Sequence, residues 1–167
     1  MAIILITGGA RSGKSVRAEA RAKAFAGKPV YIATAEALDA EMHERIANHR
    51  ARRGNEWIEH ETPLELVAAL KATDGGGARL VDCLTLWLSN LMHAGQDWSN
   101  ETTRLAERLR AQKSPVVLVT NEVGLGIVPD NPLARQYRDA AGLMNQMIAQ
   151  AADEVEFIVA GLPIRVK

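Results

Sequence analysis

Short apolar runs alternate with longer amphipathic stretches along most of the chain. Ile3–Thr7 is an unbroken run of β-branched and leucine residues, and Val30–Ala33, Arg79–Cys83, Val116–Thr120 and Val155–Val159 read the same way. Continuous runs of this kind belong to strands buried on both faces, as in a parallel sheet. The intervening stretches carry helical spacing. Lys14–Phe25 is rich in Ala, Arg, Lys and Glu, all strong helix formers. Ala37–Arg53 puts Leu38, Met42, Ile46 and His49 on one stripe. Thr62-Pro63-Leu64-Glu65 has the residues of a helix start, with Thr62 as cap and Glu65 closing a capping box. Leu84–His93 and Glu101–Gln112 read as helices, and Asn131-Pro132 opens a long one reaching about Ala152.

Strands alternating with helices require crossovers. The expected fold is therefore α/β: a P-loop NTPase-like three-layer sandwich around a mostly parallel central sheet. Leu162–Lys167 can add a short last strand, and Gly75-Gly76-Gly77 reads as a flexible connector. The 167 residues are expected to form a single catalytic domain, residues 1–167.

Composition narrows the function. Lys plus Arg and Asp plus Glu both number 20, so the formal net charge is zero, which excludes a protein that coats polyanions through bulk positive charge. Cys83 is the only cysteine, so neither an intrachain disulfide nor a cysteine-based metal cluster can form, and a reducing cytoplasm is the expected compartment. The apolar start before Gly8 lacks a basic flank and is too short for a signal peptide or a membrane span.

Gly8-Gly9-Ala10-Arg11-Ser12-Gly13-Lys14-Ser15 matches G-x-x-x-x-G-K-[ST] between a strand and a helix. Backbone N–H groups in such a loop turn toward phosphate oxygens, and the following helix adds its positive end. Lys14 can reach the β- and γ-phosphates, and the Ser15 hydroxyl can ligate Mg²⁺. A carboxylate from a second strand usually completes the metal site. Asp82 and Glu122 both follow apolar strands. Asp82 is favoured, because it closes its strand directly; Glu122 is then a candidate for positioning an acceptor or for a second metal contact.

The other unusual segment is Arg45-Ile46-Ala47-Asn48-His49-Arg50-Ala51-Arg52-Arg53, with one histidine among four arginines. A core histidine beside a solvated arginine face is the ordinary reading. A nucleic-acid patch is disfavoured by the neutral chain and the lack of interleaved aromatics. The chemical reading is an imidazole nucleophile near phosphates whose charge the guanidinium groups neutralise. His43, His60 and His93 have no metal-ligand spacing, and Trp57, Trp87 and Trp98 read as packing residues.

Together these segments resemble the bifunctional adenosylcobinamide kinase/adenosylcobinamide-phosphate guanylyltransferases of cobalamin biosynthesis. The likeness runs from the P-loop through Tyr31-Ile32-Ala33-Thr34-Ala35 and His49-Arg50 to Asp82-Cys83-Leu84-Thr85. It continues through Thr120-Asn121-Glu122-Val123-Gly124 and Gly126-Ile127-Val128-Pro129. It departs at Asn48, where some members have a second histidine, and at Gly54, where an Arg-Pro pair is expected.

The resemblance implies two transfers with ATP or GTP and Mg²⁺. The first phosphorylates the aminopropanol hydroxyl of adenosylcobinamide. The second moves GMP from GTP onto that phosphate through a guanylylated His49. It assigns Lys14 and His49 to catalysis, Gly8 to Ser15 with Arg45, Arg50, Arg53 and Glu122 to substrate binding, and Ser15 and Asp82 to the metal. It further implies small corrinoid and nucleotide partners, no nucleic acid, and a homotrimer. The alternatives are a P-loop small-molecule kinase without the covalent step, and a nucleotide-dependent switch. A guanine switch would normally carry Asn-Lys-x-Asp, which is not present.

Overall fold

A computed structural model of the chain describes residues 2–36 and 54–167. The strands are β1 (Ile3–Gly8), β2 (Val30–Ala33), β3 (Ile58–Glu61), β4 (Arg79–Asp82), β5 (Val116–Val119), β6 (Glu154–Val159) and β7 (Leu162–Arg165). The helices are α1 (Lys14–Lys23), α2 (Leu66–Ala72), α3 (Leu84–His93), α4 (Trp98–Arg110) and α5 (Pro132–Ala151). The expected helix over 37–53 lies outside the described residues.

One seven-stranded sheet runs in the order β3-β2-β4-β5-β1-β6-β7. All neighbours are parallel except the closing β6–β7 hairpin. Strand alternation splits the core between the two faces. Ile3, Leu5, Val81, Val116 and Leu118 pack with α2, α3, α4 and α5. Ile4, Ile6, Leu80, Val117 and Val119 pack with Ala18 and Ala22 of α1. Inner strands buried on both sides explain why β1 and β5 read as unbroken apolar runs. The result is the helix–sheet–helix sandwich that the element order requires.

Four local features depart from the sequence reading. β3 was not expected: it is an edge strand whose Ile58, Glu59 and Glu61 are exposed, so it lacks the apolar run of an inner strand. Thr62 does not cap a helix. Its N–H donates to the Ala33 carbonyl at 2.9 Å, prolonging the β2–β3 ladder, and α2 begins at Leu66. The carbonyls of Pro63 and Leu64 accept from Asn90 and from the Trp87 indole instead. α4 starts at Trp98, ahead of Glu101, because Asp97 accepts from the N–H groups of Ser99 and Asn100. The glycine connector is tied down: Ser114 Oγ donates to Gly76 O, and Gly75 N donates to Ser114 Oγ.

Asn131 caps α5 as its sequence position predicts, accepting from Leu133 and Ala134 N–H. Trp87 is fully buried, Trp57 is buried, and Trp98 packs against the core.

Candidate active site

β1 runs inside the sheet, between β5 and β6, and delivers the chain into the glycine-rich turn at its carboxyl end. Gly13 has φ +97° and stands at the cap of α1, a backbone that glycine reaches without a steric cost. The loop is braced from the sheet edge. The β6–β7 turn passes through Ala160 (φ +50°) and Gly161 (φ +83°), and Gly161 N–H donates to Ser12 O at 2.9 Å. The Ser12 hydroxyl is buried with no hydrogen-bond partner among the described residues.

Lys14 is buried, and its Nζ donates to Gly9 O at 3.0 Å. Burial lowers its pKa below the ordinary lysine range, while Cys83 and Asp82 pull the other way. The ammonium therefore lies within the field of the end of β4. Asp82 closes that strand on the face that α1 covers, and its Oδ2 accepts a 2.6 Å hydrogen bond from the Tyr31 hydroxyl. The Ser15 hydroxyl and the Asp82 carboxylate are hard oxygen donors, the kind that Mg²⁺ takes together with phosphate oxygens.

A row of polar side chains crosses the carboxyl ends of the strands beside this carboxylate. Thr34 Oγ1 donates to Cys83 O at 2.8 Å and accepts from Cys83 N at 2.9 Å. Asn121 donates to Thr85 Oγ1 at 2.7 Å. Asn145 Oδ1 accepts from Thr120 Oγ1, and Asn145 Nδ2 donates to Asn121 O. The Tyr137 hydroxyl donates to Thr85 O at 3.0 Å. Burial pushes the Cys83 thiol up to about 11, which keeps it protonated and unreactive at neutral pH.

Glu122 takes a different position. Its backbone N–H donates to Gly8 O, and its Oε1 accepts from Gly124 N–H at 2.6 Å. It lines a cleft of about 320 Å³ with Thr7, Asn145, Gln146, Leu5 and Val155. Leu5 and Val155 belong to the core face under α5, so this cleft opens on the side of the sheet opposite α1. The structure thus brings Gly8 to Ser15 together with Asp82, and sets Glu122 beside the end of β1. His49, Arg45, Arg50 and Arg53 lie outside the described residues. The sequence reading missed the Tyr31–Asp82 bond and the bracing role of Gly161. Tyr31 carries a weak signal, as a phenol within an otherwise aliphatic strand.

A model of the cobinamide kinase / cobinamide phosphate guanyltransferase family matches residues 4–166. The bifunctional adenosylcobalamin biosynthesis protein CobP of Pseudomonas aeruginosa is 50% identical over 167 residues, covering 98% of this chain and 96% of that protein. CobU of Salmonella typhimurium, with the same bifunctional description, is 43% identical over 183 residues, covering 99% of each. Among solved structures, the flagellar accessory protein FlaH of Methanocaldococcus jannaschii superposes with a TM-score of 0.56 at 12% identity, covering 99% of this chain and 78% of that one. An ATPase of a bacterial type III secretion system gives 0.58 at 13% identity, covering 98% and 56%. Those two likenesses establish the P-loop NTPase fold.

Proposed function

The chain belongs to the cobinamide kinase / cobinamide phosphate guanyltransferase family of bifunctional enzymes, and we propose that it phosphorylates the aminopropanol hydroxyl of adenosylcobinamide with ATP or GTP and then transfers GMP from GTP onto that phosphate. The observation that carries this reading is the buried Lys14 in the glycine-rich loop, within the field of Asp82. One phosphate cradle serves both steps.

In the kinase step, the loop N–H groups and Lys14 hold the β- and γ-phosphates and stabilise charge on the transferring group. The substrate hydroxyl attacks the γ-phosphorus, the bond to the bridging oxygen breaks, and the nucleoside diphosphate leaves. Ser15 and Asp82 would hold Mg²⁺, which neutralises phosphate charge there.

In the guanylyl step, neutral His49 attacks the α-phosphorus of GTP, forming a P–N bond as pyrophosphate leaves. An oxygen of adenosylcobinamide phosphate then attacks the same phosphorus. The P–N bond breaks, and adenosylcobinamide-GDP forms as neutral His49 returns. Arg45, Arg50 and Arg53 offer planar guanidinium forks for the phosphates around that exchange. Glu122 and its cleft are assigned to the acceptor side.

A homotrimer in the cytoplasm is part of the proposal. Self-association is supported by two exposed apolar stretches: Leu125, Ile127 and Val128, and Leu162, Ile164 and Val166 at the end of the chain's last hairpin. No helix of the described residues is long and apolar enough to cross a membrane.

The test supplies adenosylcobinamide with γ-labelled ATP or GTP. Label is expected on the corrinoid, and unlabelled GTP should then convert that phosphate to the guanylylated product. A folded, nucleotide-binding protein that leaves adenosylcobinamide unlabelled contradicts the proposal.

A further inference from the structure

We propose that Tyr31 is a positioning residue for the metal-site carboxylate Asp82; this rests on the reading of Asp82 given above. Tyr31 pairs with Leu80 in the β2–β4 register, and Ala33 pairs with Asp82. Asp82 is therefore the diagonal neighbour of Tyr31 on the same sheet face, within reach of a long aromatic side chain. Tyr31 is 5% exposed, and its ring meets Trp57 edge-on, with centroids 5.8 Å apart at 88°. A buried phenol needs a polar partner. The Tyr31 hydroxyl donates to Asp82 Oδ2 at 2.6 Å.

That bond decides how the carboxylate stands. With Oδ2 held, Oδ1 has no hydrogen-bond donor among the described residues and is left for a ligand shell. The donor is neutral, so it orients the carboxylate without cancelling the charge that a cation needs. Lys14 Nζ donates to Gly9 O, and no hydrogen bond joins it to Asp82 among the described residues. Outer partners of metal-site carboxylates act in this way: they fix orientation, and their loss typically costs about 10–100-fold in metal affinity or activity. Tyr31 also stands between Asp82 and Trp57, which lies four residues after Arg53. The metal-site carboxylate is therefore tied through two side chains to the chain that follows the arginine segment.

The test compares wild type, Tyr31→Phe and Asp82→Asn. Mn²⁺ affinity is read by electron paramagnetic resonance with a non-hydrolysable GTP analogue bound. Affinity for a fluorescent GTP analogue is read separately in EDTA. Tyr31→Phe keeps the contact with Trp57 and should weaken Mn²⁺ about tenfold, with the metal-free nucleotide affinity unchanged. Asp82→Asn should weaken Mn²⁺ at least as much. Wild-type Mn²⁺ affinity in Tyr31→Phe, with Asp82→Asn impaired, overturns the role of Tyr31 and leaves the metal reading standing. Wild-type affinity in Asp82→Asn overturns both. An equal loss of metal-free nucleotide affinity in Tyr31→Phe assigns the residue to loop shape and overturns the proposal.

A second measurement uses unmutated Tyr31. The chain has two tyrosines, so 3-fluorotyrosine labelling gives two ¹⁹F resonances, assigned with Tyr137→Phe. The Tyr31 signal should shift when Mg²⁺ joins the nucleotide complex. An unmoved signal overturns the proposal even where Tyr31→Phe does not fold.

Discussion

Gly13 and Gly161 meet back to back beneath the phosphate cradle: a Cβ built on Gly13 would stand 3.2 Å from Gly161 Cα. The approach locks the glycine-rich loop to the β6–β7 turn, and the bond from Gly161 N–H to Ser12 O completes it. The turn before the last strand therefore helps to shape the glycine-rich loop, although it carries none of the motif. Gly161→Ala places a side chain at φ +83°, where an L-residue loses about 1–2 kcal/mol. The melting temperature should fall by roughly 2–8 °C, and GTP affinity should fall with it. A folded variant with weakened GTP binding fits the bracing role, whereas unchanged GTP binding contradicts it.

The proposal has one cradle serve both transfers, so Lys14 should be needed for each. Lys14→Ala is expected to lower γ-phosphoryl transfer by about 10²–10³-fold, with guanylylation of the chain falling comparably. Rapid assay of each step with its own label checks this. Guanylylation at the wild-type rate would mean that GTP is held elsewhere in the second step.

Glu156 ties α1 to the sheet. It is buried, and it accepts from Arg17 Nε and Nη2 at 2.8 Å and from Arg21 Nη1 at 2.6 Å. The Arg17 hydrogen bond, opposed by burial and aided by the charges of Arg17 and Arg21, holds its pKa below the ordinary 4.5. A depressed carboxylate pKa gives stability that is present above the unfolded value and is lost as pH falls through the folded one. Glu156→Gln should therefore cost about 2 kcal/mol at neutral pH, and the gap should close below pH 4.5. Urea melts of both proteins across that range give the comparison. A gap that persists undiminished in acid would contradict the ionic origin.

Asp74 has a purely structural task at the opposite end of the sheet. It bonds Arg79, which is fully buried, along with Arg108 and the N–H groups of Lys113 and Ser114. Asp74→Ala strands a buried guanidinium and should cost about 3–5 kcal/mol. The fraction that remains folded should keep its nucleotide affinity, as measured by titration below the melting range.

The glycine-rich loop, the central strands and the α5 cap were legible because each rests on local chemistry: glycine spacing, unbroken β-branched runs and Asn131 before Pro132. What escaped depends on partners distant in sequence. Ile58-Glu59-His60-Glu61 looks polar because one sheet edge faces outward. Thr62 has the residue type of a cap but is used by the ladder from Ala33. No spacing rule links Tyr31 to Asp82, or Gly161 to Ser12; only the strand order brings them together.

The covalent step is the centre of the account, and labelled GTP tests it most directly. Protein is incubated with Mg²⁺ and GTP labelled at either the α- or the γ-phosphate, then denatured, with His49→Ala alongside. The account predicts label from the α position only, stable to alkali, lost in acid and absent from the variant. A folded, GTP-binding wild-type chain that acquires no α-label would contradict it, leaving a P-loop kinase without the guanylyl intermediate.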